Sequence, residues 1–160
     1  MDTNMLFSIV MFILAAYFLR RNFLNNRKAA ANMQEGYKFL QENSTKENVI
    51  TTESGLQYEL IKESEIEDAP SPSADSKVTA HYHGYLMDGS VFDSSVDRGE
   101  PISFPLKQVI KGWQEGLQLM KKGDKIRLFV PAHLGYGKRS IRTIPAGSLL
   151  IFEIELIDIQ

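Results

Sequence analysis

The side chains with chemical reach are few, and the histidines come first. His81 and His83 stand two apart, so on a strand they share a face and make half of a metal site. The third histidine, His133, is distant, and the chain has no cysteine. A solvent-facing strand surface accounts for the pair without a metal. The missing cysteines exclude disulfides, thiolate zinc sites and cysteine nucleophiles. No Gly-x-Ser-x-Gly elbow occurs, and the glycines are too scattered for a phosphate loop. Lys121, Lys122, Lys125 and Arg127 form a basic stretch, as do Lys138, Arg139 and Arg142. Neither has interleaved aromatics, and the chain balances 18 basic against 20 acidic residues, so no nucleic-acid partner is implied. What remains is aromatic. Tyr82, Phe92, Phe104, Trp113, Tyr136 and Phe152 come from separate segments. Aromatics usually build cores, but Val91-Phe92-Asp93-Ser94-Ser95 sets a lone acid among them. An apolar pocket with one hydrogen-bonded carboxylate is a binding-site pattern.

The elements that position these residues follow from periodicity. Leu56, Tyr58 and Leu60 alternate with Gln57 and Glu59, which predicts a strand over Gly55–Lys62. The acidic, proline- and serine-bearing stretch Glu63–Lys77 reads as a solvated loop. Val78 to Leu86 predicts a strand with Val78, Ala80, Tyr82 and Gly84 on one face, turning at Asp88-Gly89 and returning at Val91-Phe92. The segment Phe104 to Met120 contains a predicted helix with Val109, Ile110, Trp113, Leu117 and Met120 on one face, capped by Gly123. Lys125 to Pro131 and Leu149 to Ile159 predict two more strands. Strands joined by turns around one short helix make an α+β domain, an antiparallel sheet packed on a helix.

The amino-terminal part differs. Met5 to Leu19 is apolar except for Ser8 and the Tyr17 hydroxyl, and Arg20, Arg21, Arg27 and Lys28 follow. A cleaved signal needs its positive charge before the run, whereas here only Asp2 precedes it. A buried helix would have to hide an apolar surface on all sides. A single-pass membrane anchor over residues 5–24 is the reading that fits, although the run is short and leaves room for a surface-lying anchor. The charge bias puts the bulk of the chain in the cytoplasm. Ala29 to Asn43 predicts a stalk helix striped by Ala29, Met33, Tyr37 and Leu40 and weakened by Gly36. The chain thus divides into an anchor (1–24), a stalk or linker (25–49) and a globular domain (50–160).

Taken in order, several motifs form a pattern. They are Tyr82-x-Gly84, Asp88-Gly89-x-Val91-Phe92-Asp93-Ser94-Ser95, Arg98-Gly99-x-Pro101, Phe104, Gln108-Val109-Ile110-x-Gly112-Trp113-x-Glu115-Gly116, Met120, Tyr136-Gly137, Ile144-Pro145 and Leu150-Ile151-Phe152-Glu153-x-Glu155-Leu156. The pattern resembles the FKBP-type peptidyl-prolyl cis-trans isomerases over roughly Thr52 to Gln160. The lead-in, Gly36-x-x-Phe39-Leu40-x-Glu42-Asn43 and then Thr52-Glu53-Ser54-Gly55-Leu56-Gln57-Tyr58, resembles the bacterial macrophage-infectivity-potentiator branch.

The resemblance implies a twisted antiparallel sheet wrapped on a short α-helix. It implies rotation of X-Pro bonds during protein folding, with no metal or cofactor. It assigns catalysis to Tyr82, Phe92, Asp93 and Tyr136. Substrate binding falls to Val109, Ile110, Trp113, Phe152, Ile102, Ile144 and Arg98, with Trp113 as the floor under the proline ring. The Ile110 amide and the Tyr136 hydroxyl would hold substrate carbonyls. The implied partners are proline-containing polypeptides and the macrolide inhibitors of the family. The alternative is a non-catalytic FKBP binding or chaperone module. The branch is mostly exported, which favours the periplasmic side of a bacterial inner membrane, while the charge bias favours the cytoplasm, and the sequence leaves the side open. Three departures stand out: Ile102 where many members carry an aromatic, a basic flap Lys138–Thr143 without the common glycines, and Ala146 after Pro145.

Overall fold

The computed structural model describes the backbone of residues 3–160, and the side chains of Phe7 and of residues 10–160. Asp2, the charge preceding the apolar run, lies outside the described residues. One helix, α1 (Thr3–Asn43), runs unbroken through 41 residues, about 60 Å at the α-helical rise. From Val10 to Lys28 its side chains are exposed, Phe12, Phe18 and Leu19 among them. Among the described residues no helix is long and apolar enough to cross a membrane. This corrects the single-pass anchor over residues 5–24, the membrane as a partner, and the inner-membrane location built on it. The physical reason is length. As a helix, Met5–Leu19 reaches about 22 Å, short of the roughly 30 Å hydrocarbon core, and Arg20, Arg21 and Asn22 follow at once.

From Ala29 onward α1 docks on the rest of the chain. Ala29, Gly36, Leu40 and Asn43 are buried along one stripe. Tyr37, read as part of that stripe, is 64% exposed. Gly36, read as a weak point, is instead the close approach: a Cβ there would lie 3.1 Å from the Leu149 Cβ. Polar pairs fix the seat. Asn43 Nδ2 donates to Gln57 Oε1 at 3.0 Å, Gln57 Nε2 donates to the Leu40 carbonyl at 2.8 Å, and Asn32 Nδ2 donates to the Ala146 carbonyl at 2.8 Å.

Seven strands follow, β1 (Ile50–Thr51), β2 (Gln57–Lys62), β3 (Lys77–Tyr85), β4 (Val91–Ser94), β5 (Ile102–Pro105), β6 (Lys125–Val130) and β7 (Leu150–Ile159). They form one antiparallel sheet in the order β1-β2-β6-β7-β3-β4, with β5 also on β3. Two short helices, α2 (Ser95–Arg98) and α3 (Lys111–Gln118), complete it. The expected α+β sheet on a short helix is what forms. Val78, Ala80 and Tyr82 of β3 and Leu150, Phe152, Ile154 and Leu156 of β7 face the main core with Trp113 and Leu117 of α3. The opposite sheet face holds a smaller cluster, Leu40, Phe129, Leu149 and Ile151, where α1 packs.

The helix expected within Phe104–Met120 is α3, and it is shorter than the apolar face Val109–Met120 suggests. Pro105 has no N–H to give a helix and biases Phe104 to extended backbone. The chain therefore makes β5, a single 3-10 turn at Leu106–Gln108, and only then α3. Val109 and Ile110 precede the helix in extended conformation. Gly123 does not cap it: the cap is Leu119, and Gly123, at φ +96°, turns the chain toward β6.

Replacing Gly36 by leucine would overpack the α1 seat against Leu149. A stability loss of about 1–3 kcal/mol is expected, read as a lower urea midpoint at unchanged slope. An unchanged midpoint would mean that α1 does not pack Gly36 against Leu149.

Candidate functional site

β3 has two partners on one edge. Lys77–Ala80 pair with β5 and His83–Tyr85 with β4, which leaves His81 and Tyr82 between them. The fully buried Ser95 fills that gap: its Oγ accepts from the Tyr82 N–H at 2.8 Å and donates to the Tyr82 carbonyl at 3.3 Å. Ser94 caps α2, its Oγ accepting from the Asp97 N–H at 3.1 Å. So β4 ends in a single helical turn that presents Asp93 at one end and Arg98 at the other. Neither α2 nor β5 was read from the sequence. The two serines directly after Asp93 were the available signal, since serine favours N-caps.

Between α3, β3, β7 and the flap lies a cavity of about 400 Å³. Its wall includes Tyr82, Phe92, Asp93, Ile102, Val109, Ile110, Trp113, Tyr136, Ile144 and Phe152. Ten of the eleven residues singled out in the sequence therefore meet in one place. The eleventh, Arg98, stands behind the wall and reaches it through Asp93 and Tyr82. Gln108 also lines it, as do Ile141, Arg142 and Thr143 of the flap noted in the sequence, although none of the four was singled out as a site residue. Phe104 packs behind Trp113 and takes no part in the lining. A larger cavity, about 740 Å³, opens between α1 and the Thr51–Gln57 and Pro131–His133 loops. Its rings are only Tyr37 and His133, so size alone does not mark the site.

Trp113, in the first turn of α3, is 5% exposed and meets three rings. Tyr82 and Phe152 stand edge-on to it at 5.2 and 5.1 Å, and Phe104 is tilted at 5.4 Å. Phe92 stands edge-on to Phe152 at 5.4 Å. Each such pair adds about 0.5–1.5 kcal/mol beyond burial. The buried indole Nε1–H has no hydrogen-bond partner among the described residues, so ring packing alone sets the indole's position. Gly84 of β3 makes the cluster possible: a Cβ there would lie 2.7 Å from Phe92 and 2.9 Å from Phe152.

One carboxylate stands at the rim. The Tyr82 hydroxyl donates to Asp93 Oδ2 at 2.5 Å, Arg98 Nη1 donates to Asp93 Oδ1 at 2.5 Å, and Arg98 Nη2 donates to the Tyr82 oxygen at 2.9 Å. Burial pushes the Asp93 carboxyl up, but the bonds from Tyr82 and Arg98 outweigh it and hold the acid below its ordinary range. Burial, helped by the hydrogen bond to Asp93, raises the Tyr82 phenol, which stays a donor. The hydrogen bonds to Asp93 and Tyr82 hold Arg98 charged. The histidine pair faces away from the cavity: His81 Nδ1 lies 3.0 Å from Ser95 Oγ and His83 Nδ1 2.8 Å from Ser94 Oγ. Among the described residues no group of three ligands is placed to hold a metal ion. Two donors in the wall lack protein partners among the described residues, the Ile110 N–H and the Tyr136 hydroxyl.

An antiparallel sheet closed on one short helix, with an aromatic-walled cavity at their junction, defines the α+β class of the domain. Comparison with known proteins gives the family. Residues 69–157 match the FKBP-type peptidyl-prolyl cis-trans isomerase family, and residues 11–60 match the domain amino-terminal to such isomerases. The chain belongs to the FKBP-type peptidyl-prolyl cis-trans isomerase family. It is 47% identical over 135 residues to FkpA of Aeromonas hydrophila, covering 84% of this chain and 49% of that protein. It is 45% identical over 141 residues to the FKBP-type 22 kDa isomerase of Escherichia coli, covering 88% and 67%. The crystal structure of FkpA from Escherichia coli superposes with a TM-score of 0.89 at 33% identity, over all of this chain and 74% of that one. The chain spans about half the length of most of the curated relatives it matches. The 11–60 match gives α1 a family counterpart in place of the expected anchor. The relatives named are FkpA and 22 kDa proteins, in place of the macrophage-infectivity-potentiator branch that the lead-in suggested.

A lowered carboxyl contributes stability that is present above its unfolded value, about 3.9, and is lost as pH falls through the folded value. Followed by carboxyl-carbon NMR, Asp93 should titrate below that unfolded value. Tyr82→Phe should move the midpoint upward. An unmoved midpoint would remove the phenol from the network.

Proposed function

We propose that the chain catalyses cis–trans isomerisation of X-Pro bonds in polypeptides and so assists folding. The observation that carries this is the Trp113 floor, enclosed by Tyr82, Phe92 and Phe152 and flanked by two open donors. The pocket lining falls wholly within residues 50–160, which supports treating that stretch as the isomerase unit. The reaction breaks no covalent bond. It crosses a rotational barrier of roughly 18–20 kcal/mol set by amide resonance. For X-Pro the uncatalysed exchange takes roughly tens to hundreds of seconds.

A thousandfold acceleration needs only about 4 kcal/mol of differential stabilisation. The twisted amide has lost conjugation and is less polar than the planar one, so a dry aromatic wall favours it. The proline ring rests on Trp113, between Phe152, Phe92, Val109 and Ile102, with Ile144 closing the flap side. The Ile110 N–H and the Tyr136 hydroxyl take substrate carbonyls and fix the chain on either side of the bond. Asp93, held by Tyr82 and oriented by Arg98, keeps its charge off the apolar floor. Macrolides that fill FKBP pockets compete for the same space.

Exchange NMR on a short X-Pro peptide with the full chain should show faster interconversion, blocked by such a macrolide. Trp113→Ala should lower kcat/KM by roughly tenfold or more, equivalent to about 1.4 kcal/mol of transition-state stabilisation. Phe92→Tyr, a smaller change, guards against loss of fold and should also slow turnover. Full activity in both variants would overturn the assignment.

A further inference from the structure

Two charged side chains line the cavity, Asp93 and Arg142. Asp93 is bound by Tyr82 and Arg98. Arg142 makes no ion pair among the described residues. It is therefore the one cation of the wall still open to a partner from solution.

Its backbone is unusual. Ile141 and Ile144 exchange both of their backbone hydrogen bonds, at 3.0 and 2.8 Å, which leaves Arg142 and Thr143 as the tip of a two-residue turn. Arg142 sits at φ +50°, a left-handed position that glycine fills at no steric cost and that arginine disfavours. Disfavoured backbone persists where it serves a site. Here it falls on an exposed arginine that lines an apolar cavity. Lys138 and Arg139 stand exposed on the same flap, likewise outside any ion pair among the described residues. The flap Lys138–Thr143 thus carries three cations and no acid in a chain of net charge −2, so its positive field is local.

Resting on the isomerase reading above, we propose that Arg142 selects substrates with an acidic side chain within two residues of the proline, pairing with its carboxylate at the flap. A guanidinium matches a carboxylate with two parallel donors, and the apolar wall beside it strengthens the pair.

The experiment compares kcat/KM for matched peptides bearing Glu, Gln or Lys before or after the X-Pro unit, using the full chain. At low salt the Glu peptide should exceed the Gln peptide by about threefold or more, the size of one partly screened ion pair, and the Lys peptide should fall below both. At about 1 M salt, where screening acts within about 3 Å, the order should collapse. Arg142→Glu should invert it. Arg142→Gly should abolish it while the urea midpoint holds or rises, because glycine relieves the turn. Equal rates for the three peptides with the unaltered chain at low salt, or a Glu preference that survives Arg142→Glu, would overturn the proposal alone. Acceleration of none of the peptides would overturn the isomerase reading, and this proposal with it.

Discussion

The arrangement of the site depends on how one strand closes its open edge. β3 is bonded along one side by β7, but on the other its two partners leave a gap at Tyr82. A buried backbone N–H and C=O without partners there would each cost on the order of 1–3 kcal/mol. The Ser95 hydroxyl serves both groups. Because a side chain does this, β4 is free to leave the sheet after Ser94 and turn into α2. That departure brings Asp93 and Arg98 around the Tyr82 hydroxyl. A full-length strand in its place would carry them past the cavity.

The second constraint is electrostatic. An unpaired carboxylate beside an aromatic floor would be poorly solvated, and its burial alone would raise its pKa. Two donors from different elements reverse that outcome, so the acid stays charged yet neutralised within its own triad. The phenol and guanidinium are oriented in turn by the acid. The remaining wall can then be hydrocarbon and ring, which suits a reaction whose transition state is less polar than its ground state.

Much of this could be read from the amino acids. The alternation in β3 and β7 fixed which side chains face inward, because a period of two leaves little freedom once one face is buried. The aromatic residues and Asp93 could be named in advance for the same reason, aided by the family pattern. Other features depend on contacts distant in sequence. Gly36 looks like a defect in a helix until Leu149 is brought against it, and Tyr37 looks like core until the seat of α1 proves to be one residue away. The helix within 104–120 is shorter than its apolar face, because Val109 and Ile110 keep extended backbone and the helix begins only at Lys111. The apolar run before Arg20 suggested a lipid environment, but its length falls short of one. The flap Lys138–Thr143 could be named in advance, but that Ile141, Arg142 and Thr143 line the cavity, with Arg142 in a left-handed turn, depends on contacts the sequence pattern does not show.

β7 is lined on both sides over part of its length. Ile151 lies in the seat of α1, and its neighbour Phe152 forms the wall against Trp113. A single peptide unit is thus a party wall between two rooms. Between the helix seat and the aromatic box there is no intervening layer. Substitutions on either side must be compatible with both, which couples the design of the long helix to the shape of the pocket it never touches.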